Sequence, residues 1–213
     1  PWTIDSAGDV SITETLEGSG SIVKTGAGTL ELTSPGAIPG PVHVVQGGLR
    51  LNGTLSNSTV EVDSTAILSG QAVIAQTLDV SGSLSPGNSI GRIDCGALTL
   101  QSGAAIVWQI SDWTGTPNTG YDQVTATSLD LTSATSLELK LESQSIQNFT
   151  DTAASFILIE TTSGITGFDP EDKQNQEHCS TAAGLAVSPY AAMSCITDMM
   201  RTRNFMMGIQ DAI

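Results

Sequence analysis

Positive charge is scarce in this chain: seven Lys and Arg stand against 22 Asp and Glu, a net charge of −15 over 213 residues. That imbalance repels polyanions and removes the counterion release on which nucleic-acid binding depends, so no nucleic-acid partner is expected. Aromatic residues make up 4% of the chain and charged residues 14%, which leaves little material for the aromatic or basic cleft that holds a sugar chain. Three Cys are too few for a disulfide-built fold. Cys95 reads as a small buried hydrophobe, while Cys179 and Cys195 lie close enough in sequence to pair in an oxidising compartment or to stay as free thiols. No run approaches the roughly 18 apolar residues of a membrane helix. Pro1 is not followed by a basic segment leading into an apolar one, so any signal peptide is expected to have been removed or to lie outside this sequence.

What is plentiful is short polar residues, Gly, and apolar residues in alternation. The stretch Lys24 to Leu32, KTGAGTLEL, sets a tight Gly-rich turn directly before a short alternating strand. Looser copies recur downstream, GGLRL at Gly47 to Leu51 and GALTL at Gly96 to Leu100. Apolar pairs recur at Val10 and Ile12, Leu30 and Leu32, Leu49 and Leu51, Val60 and Val62, Leu78 and Val80, and Leu98 and Leu100. Each pair marks a strand with one face turned inward, and the Gly, Ser, Asn and Asp between them permit turns. A chain that turns after every few strand residues stacks coils on one another rather than building a long-stranded sheet. The expected fold is all-β, a right-handed parallel β-helix (β-solenoid), with three-sided coils of roughly 18 to 22 residues. The turn positions are assigned to Gly26, Gly28, Gly47, Gly48, Pro86, Gly87 and Gly91. A Cβ would strain Gly26, Gly28 and Gly87.

The β-helix is expected over residues 1–169, with a repeat core at about 21–110 and a C-terminal coil region at about 111–169. At their junction Trp108 and Trp113 fall close together; beyond it Thr114 to Tyr121 reads as an insertion, and longer strands are expected at Ser136 to Leu141 and Ser155 to Glu160. Residues 170–188 read as a polar linker. Residues 189–213 read as a helical cap or interaction segment: Ser188 and Pro189 suit a helix start, Gly208 an end, and Met193, Ile196, Met200 and Met207 line one face. Met-rich faces adapt to partner surfaces.

Three segments together resemble the autotransporter-associated β-strand repeat of bacterial passenger regions: KTGAGTLEL, QGGLRL at Gln46 to Leu51, and LSPGNSIGRI at Leu84 to Ile93. The downstream order is similar too, with YDQVTATSLDL at Tyr121 to Leu131 and FILIETTSGITGFD at Phe156 to Asp169. The resemblance implies a right-handed β-helix exported across the outer membrane, with a C-terminal portion that folds early. Such a passenger leads into a membrane barrel, and no barrel pattern is present in this sequence, so a translocator or anchor would lie outside it.

Candidate chemistry is sparse. Gly87 to Gly91, GNSIG, matches the pattern of a nucleophile elbow, but the elbow needs a helix after the Ser and a His elsewhere, and Ile93 to Leu100 reads as strand. His43 lies in the strand-like VHVVQ, where an outward-facing or locally bonded imidazole is expected, and His178 sits beside Cys179; neither spacing is that of a zinc motif. Asp112, Asp122, Asp130 and Glu138 are carboxylates that stacking could pair, as polysaccharide-cleaving β-helices require, and Asp112 to Asp122 could hold calcium. No catalytic residue, cofactor or metal is assigned. The expected function is a secreted bacterial surface module, structural or adhesive and non-catalytic, located outside the cell or on its surface, and partnered by itself or by a host or cell-surface polymer. The alternatives are a self-assembling extracellular fibre subunit and a carbohydrate-active enzyme on the same scaffold.

Overall fold

The computed structural model describes residues 1–16, 18, 20–34, 38, 40–150 and 154–167, without the side chains of residues 143 and 144. Strand succeeds strand with short turns between. The first two coils contribute β1 (Trp2–Asp5), β2 (Val10–Ile12), β3 (Ile22–Thr25) and β4 (Thr29–Leu32). From the third coil on there are three strand segments per turn. These are β5 (Val42–Val44), β6 (Gly47–Leu51) and β7 (Gly53–Leu55), then β8 (Val60–Val62), β9 (Ala66–Gly70) and β10 (Ala72–Ile74). The stack continues through β11 (Leu78–Val80), β12 (Ser83–Pro86), β13 (Arg92–Leu100) and β14 (Ala105–Asp112). It ends in β15 (Gln123–Asp130), β16 (Glu138–Gln147), β17 (Ile159–Thr161) and β18 (Ile165–Thr166).

All pairings between these strands are parallel and make two sheets, one of eleven strands and one of seven in the order β16-β14-β12-β9-β6-β4-β2. The eleven-stranded sheet turns a corner inside β13: Asp94 and Cys95 pair with β10, whereas Leu98 to Leu100 pair with β11. The burial phase explains the corner. Ile93 is buried, then Leu98 and Leu100 are, so the inward alternation slips from odd to even positions around Gly96. Gly96 leaves room there, since a Cβ would stand 2.7 Å from the Gln76 carbonyl oxygen of the coil before.

The core is a set of ladders. Ile22, Val42, Val60, Leu78, Leu98 and Leu129 stand in one register, rung on rung and buried, and Trp2 and Ile165 continue the column to its exposed ends. Leu30, Leu49, Leu68 and Leu84 stack likewise on the other sheet and are fully buried. Such inward columns of aliphatic side chains supply most of the apolar burial, and each coil is stabilised mainly by its two neighbours.

Coil length changes along the stack. Ile22 faces Val42, a step of 20 residues, and Leu68 faces Leu84, a step of 16. At the C-terminal end Arg92 faces Gln123, a step of 31, and Val124 faces Ile159, a step of 35. The uniform coil of 18 to 22 residues thus gives way to a wider turn. Its interior is filled by larger side chains: Phe156 has its ring centroid 5.5 Å from that of Trp108, 5.2 Å from Trp113 and 5.0 Å from Tyr121.

Several expectations need correction. The strand expected at Ser155 to Glu160 is observed only over β17 (Ile159–Thr161), because Phe156 is taken into the aromatic cluster ahead of it. Gly48 lies within strand β6 rather than in a turn; its missing side chain leaves space for Thr29, whose Oγ1 would stand 3.0 Å from a Cβ. Pro86 is the last residue of β12, not a loop residue. It still punctuates the sheet, since pairing of β12 with β14 stops at Leu84, ahead of a residue that has no N–H to donate. Gly28 has no positive φ; what requires glycine there is close approach, a Cβ lying 2.2 Å from the Gly8 carbonyl oxygen. Gly26, Gly47 and Gly87 do have positive φ, at 79°, 74° and 85°. Gly91 faces Gly87 closely, a Cβ coming within 2.4 Å of its Cα. The linker at 170–188 and the helix at 189–213, with Met193, Ile196, Met200, Met207, Cys179, Cys195 and His178, lie outside the described residues.

Candidate functional site

Stacking converts sequence positions one coil apart into neighbours, so the outer faces of the sheets carry ladders of polar side chains. On the larger sheet the outward column runs Val23, His43, Glu61, Asp79 and Thr99. His43 is outward because Val42 and Val44, on either side of it, are buried. The same alternation turns Glu61 out between Val60 and Val62. Asp63 lies just past the end of β8, where its N–H donates to the Val44 carbonyl at 2.9 Å. His43 Nε2 meets Asp63 Oδ1 at 2.8 Å, and the donor atoms of His43, Glu61 and Asp63 all lie within 4.8 Å of one another. Among the described residues this is the group able to hold a metal ion. Next in the column, Asp79 accepts from the Gln101 amide at 2.9 and 3.1 Å.

Asp122 has a different role. It is fully buried, and its carboxylate accepts from the Gly91 N–H at 2.8 Å and the Gln109 N–H at 2.9 Å, while its carbonyl accepts from Trp108 Nε1 at 2.6 Å. One residue therefore joins the corner before β13 to β14 and to the loop before β15. Burial pushes its carboxyl up to about 7 despite the two N–H bonds, and the negative charge of Glu142 adds to the shift. The other candidate carboxylates are engaged separately. Asp112 accepts from Asn148 and Thr114, and Asp130 from Thr132 and Thr166, bonds that hold both below the usual carboxylate range. Glu138 contacts Lys140. Asp130 and Glu138 sit on different sheets, so stacking does not converge them.

Ser89 is exposed at the bend between β12 and β13. The chain passes from this bend into the nine-residue strand β13, so the strand–turn–helix geometry of a nucleophile elbow is not formed. Cys95 is half-buried, and burial together with the neighbouring Asp94 pushes its thiol up to about 12, which makes it inert rather than nucleophilic.

Lys24 is a residue that composition and motif did not single out as structural. It occupies an inward rung between Ile4 and Val44, fully buried, and its ammonium donates to the carbonyls of Thr25 at 2.7 Å, Gly26 at 2.9 Å and Gln46 at 3.1 Å. Three donors meet three acceptors, so the charge is solvated by the backbone of two coils. Burial lowers its pKa and the nearby Asp5 opposes that. Its phase was the available signal, since Ile22 and Lys24 stand on the same face.

No protein-family model matches the chain. A stretch of 79 residues, 37% of the chain, is 38% identical to an extracellular serine protease of Serratia marcescens. The matched stretch spans 8% of that relative's length.

Proposed function

We propose that the chain is a stretch of a secreted bacterial surface protein, similar to autotransporter passengers, whose right-handed β-solenoid does structural or adhesive work without catalysis. The observation that carries this reading is the unbroken parallel register from Trp2 to Ile165, which makes a stiff stack with continuous outward ladders. Such ladders offer repeated hydrogen-bonding groups at the strand spacing of about 4.8 Å, suited to an extended polymer at a host or bacterial surface. Parallel crossovers are right-handed almost without exception, which supports the hand. The extracellular relative supports the location. A translocator or anchor would be supplied by sequence outside this stretch.

The alternative is a self-assembling fibre subunit. In that reading a sheet edge of one copy would pair with the edge of the next. Panels of immobilised polysaccharides, mucins and matrix proteins, read for retention and for bond cleavage, test the two. Retention without cleavage supports the adhesive module. Cleavage of any polymer overturns the non-catalytic reading, and filaments in electron micrographs without retention favour the fibre.

A further inference from the structure

We propose that His43, Glu61 and Asp63 form a surface site for a divalent transition-metal ion of the zinc class, one imidazole nitrogen and two carboxylates, with the remaining coordination positions open to water. The geometry is nearly in place. Ligand atoms around a four-coordinate ion with bonds of about 2.0 to 2.2 Å stand roughly 3 to 3.6 Å apart. The three donor atoms already lie within 4.8 Å of one another, and the His43 to Asp63 contact of 2.8 Å needs to open by only about half an ångström. The platform beneath is fixed, since His43 and Glu61 are register partners on adjacent rungs and the valines flanking them, Val42, Val44, Val60 and Val62, are all buried.

The local charge calls for a cation. Glu61 and Asp63 project from one face at adjacent outward positions, and Asp79 stands directly beside Glu61 in the next coil. Among the described residues no Lys or Arg forms an ion pair with any of the three: Arg92 engages Asp94 and Lys140 engages Glu138. A protonated His43 would bring one positive charge against two carboxylates, whereas a divalent ion neutralises both. An ordinary His–Asp pair accounts for Asp63 and leaves Glu61 without a role beside the imidazole. The mixed donor set also chooses among ions, because calcium and magnesium take oxygen ligands while an imidazole suits zinc, cobalt and nickel.

Co2+ titration of the chelator-stripped chain, monitored by visible absorption, tests the site. We expect d–d bands of a four- or five-coordinate ion that Zn2+ abolishes stoichiometrically and that a hundredfold excess of Ca2+ or Mg2+ leaves intact. His43→Gln, Glu61→Gln and Asp63→Asn should each weaken binding at least about tenfold, and Glu31→Gln on the opposite sheet should not. Circular dichroism checks folding, and because Glu61 is exposed, Glu61→Gln carries the test should the His43 variant unfold. Bands that survive both His43→Gln and Glu61→Gln, displacement by Ca2+, or no binding below millimolar Co2+ would each overturn the assignment.

Discussion

Replacing Leu98 by Ala should test the ladder more directly than any other single change. Leu98 is fully buried, with Leu78 on the rung before it and Leu129 on the rung after it. The substitution removes three carbons, worth about 2.4 kcal/mol at about 0.8 kcal/mol per buried methylene. A cavity adds to that, and here it cannot close easily, because the rungs on both sides are held by parallel hydrogen-bonded pairing. The expected loss is therefore in the upper part of the usual range for Leu→Ala, about 3 to 5 kcal/mol. Position in the stack supplies the control. Ile4 is only half-buried and has Lys24 as its ladder neighbour on one side alone, so Ile4→Ala should cost about 1 to 2 kcal/mol. Leu98→Met keeps the volume and should cost under about 1.5 kcal/mol. Urea unfolding monitored by far-ultraviolet circular dichroism reads all three, with an unchanged m value showing that the midpoint shift reflects native packing. A loss below about 1 kcal/mol for Leu98→Ala, or one no larger than for Ile4→Ala, would refute the idea that stability resides in stacked inward columns.

Gly28→Val should lower the melting temperature clearly more than Ser21→Val, since a Cβ at Gly28 would lie 2.2 Å from the Gly8 carbonyl oxygen; equal shifts by calorimetry would count against that close approach. For Asp122, the folded-state pKa of about 7 lies above the roughly 3.9 of an unfolded chain, so the folded state holds the proton more tightly. Its contribution is present below about pH 4 and is lost as pH rises through about 7. The stability of the parent relative to Asp122→Asn should therefore fall from pH 4 to pH 7, and a flat difference would contradict it. Lys24→Met fits the rung but leaves the Gly26 and Gln46 carbonyls without the ammonium, while the Thr25 carbonyl keeps the Ser6 N–H at 3.1 Å, so it should cost about 2 kcal/mol or more, and a stabilised variant would show that the buried ammonium is a net burden. Fluorophosphonate probes should leave Ser89 unlabelled, and labelling abolished by Ser89→Ala would overturn the structural reading of that bend.

The alternation and turns were readable because they are local. In GTLEL the inward face at Leu30 and Leu32 comes from the two-residue strand period, and Gly26 announces a turn because only a residue without Cβ adopts its positive φ readily. Those features suffice to specify short strands, parallel stacking and the buried rungs. They do not say which outward residue meets which, because that depends on coil length, and coil length ranges from the 16 residues between Leu68 and Leu84 to the 36 between Leu129 and Ile165. His43 and Asp63 are 20 residues apart and Gly91 and Asp122 are 31 apart, spacings that match no local motif. Lys24 shows the same division: its phase points it inward, yet only the turn of the next coil, through Gln46, completes the set of carbonyls that makes a buried ammonium tolerable. The rungs follow from a period that each strand carries within it; the pairings across them arise only on folding, since each loop closes over a different number of residues before the next strand finds its register.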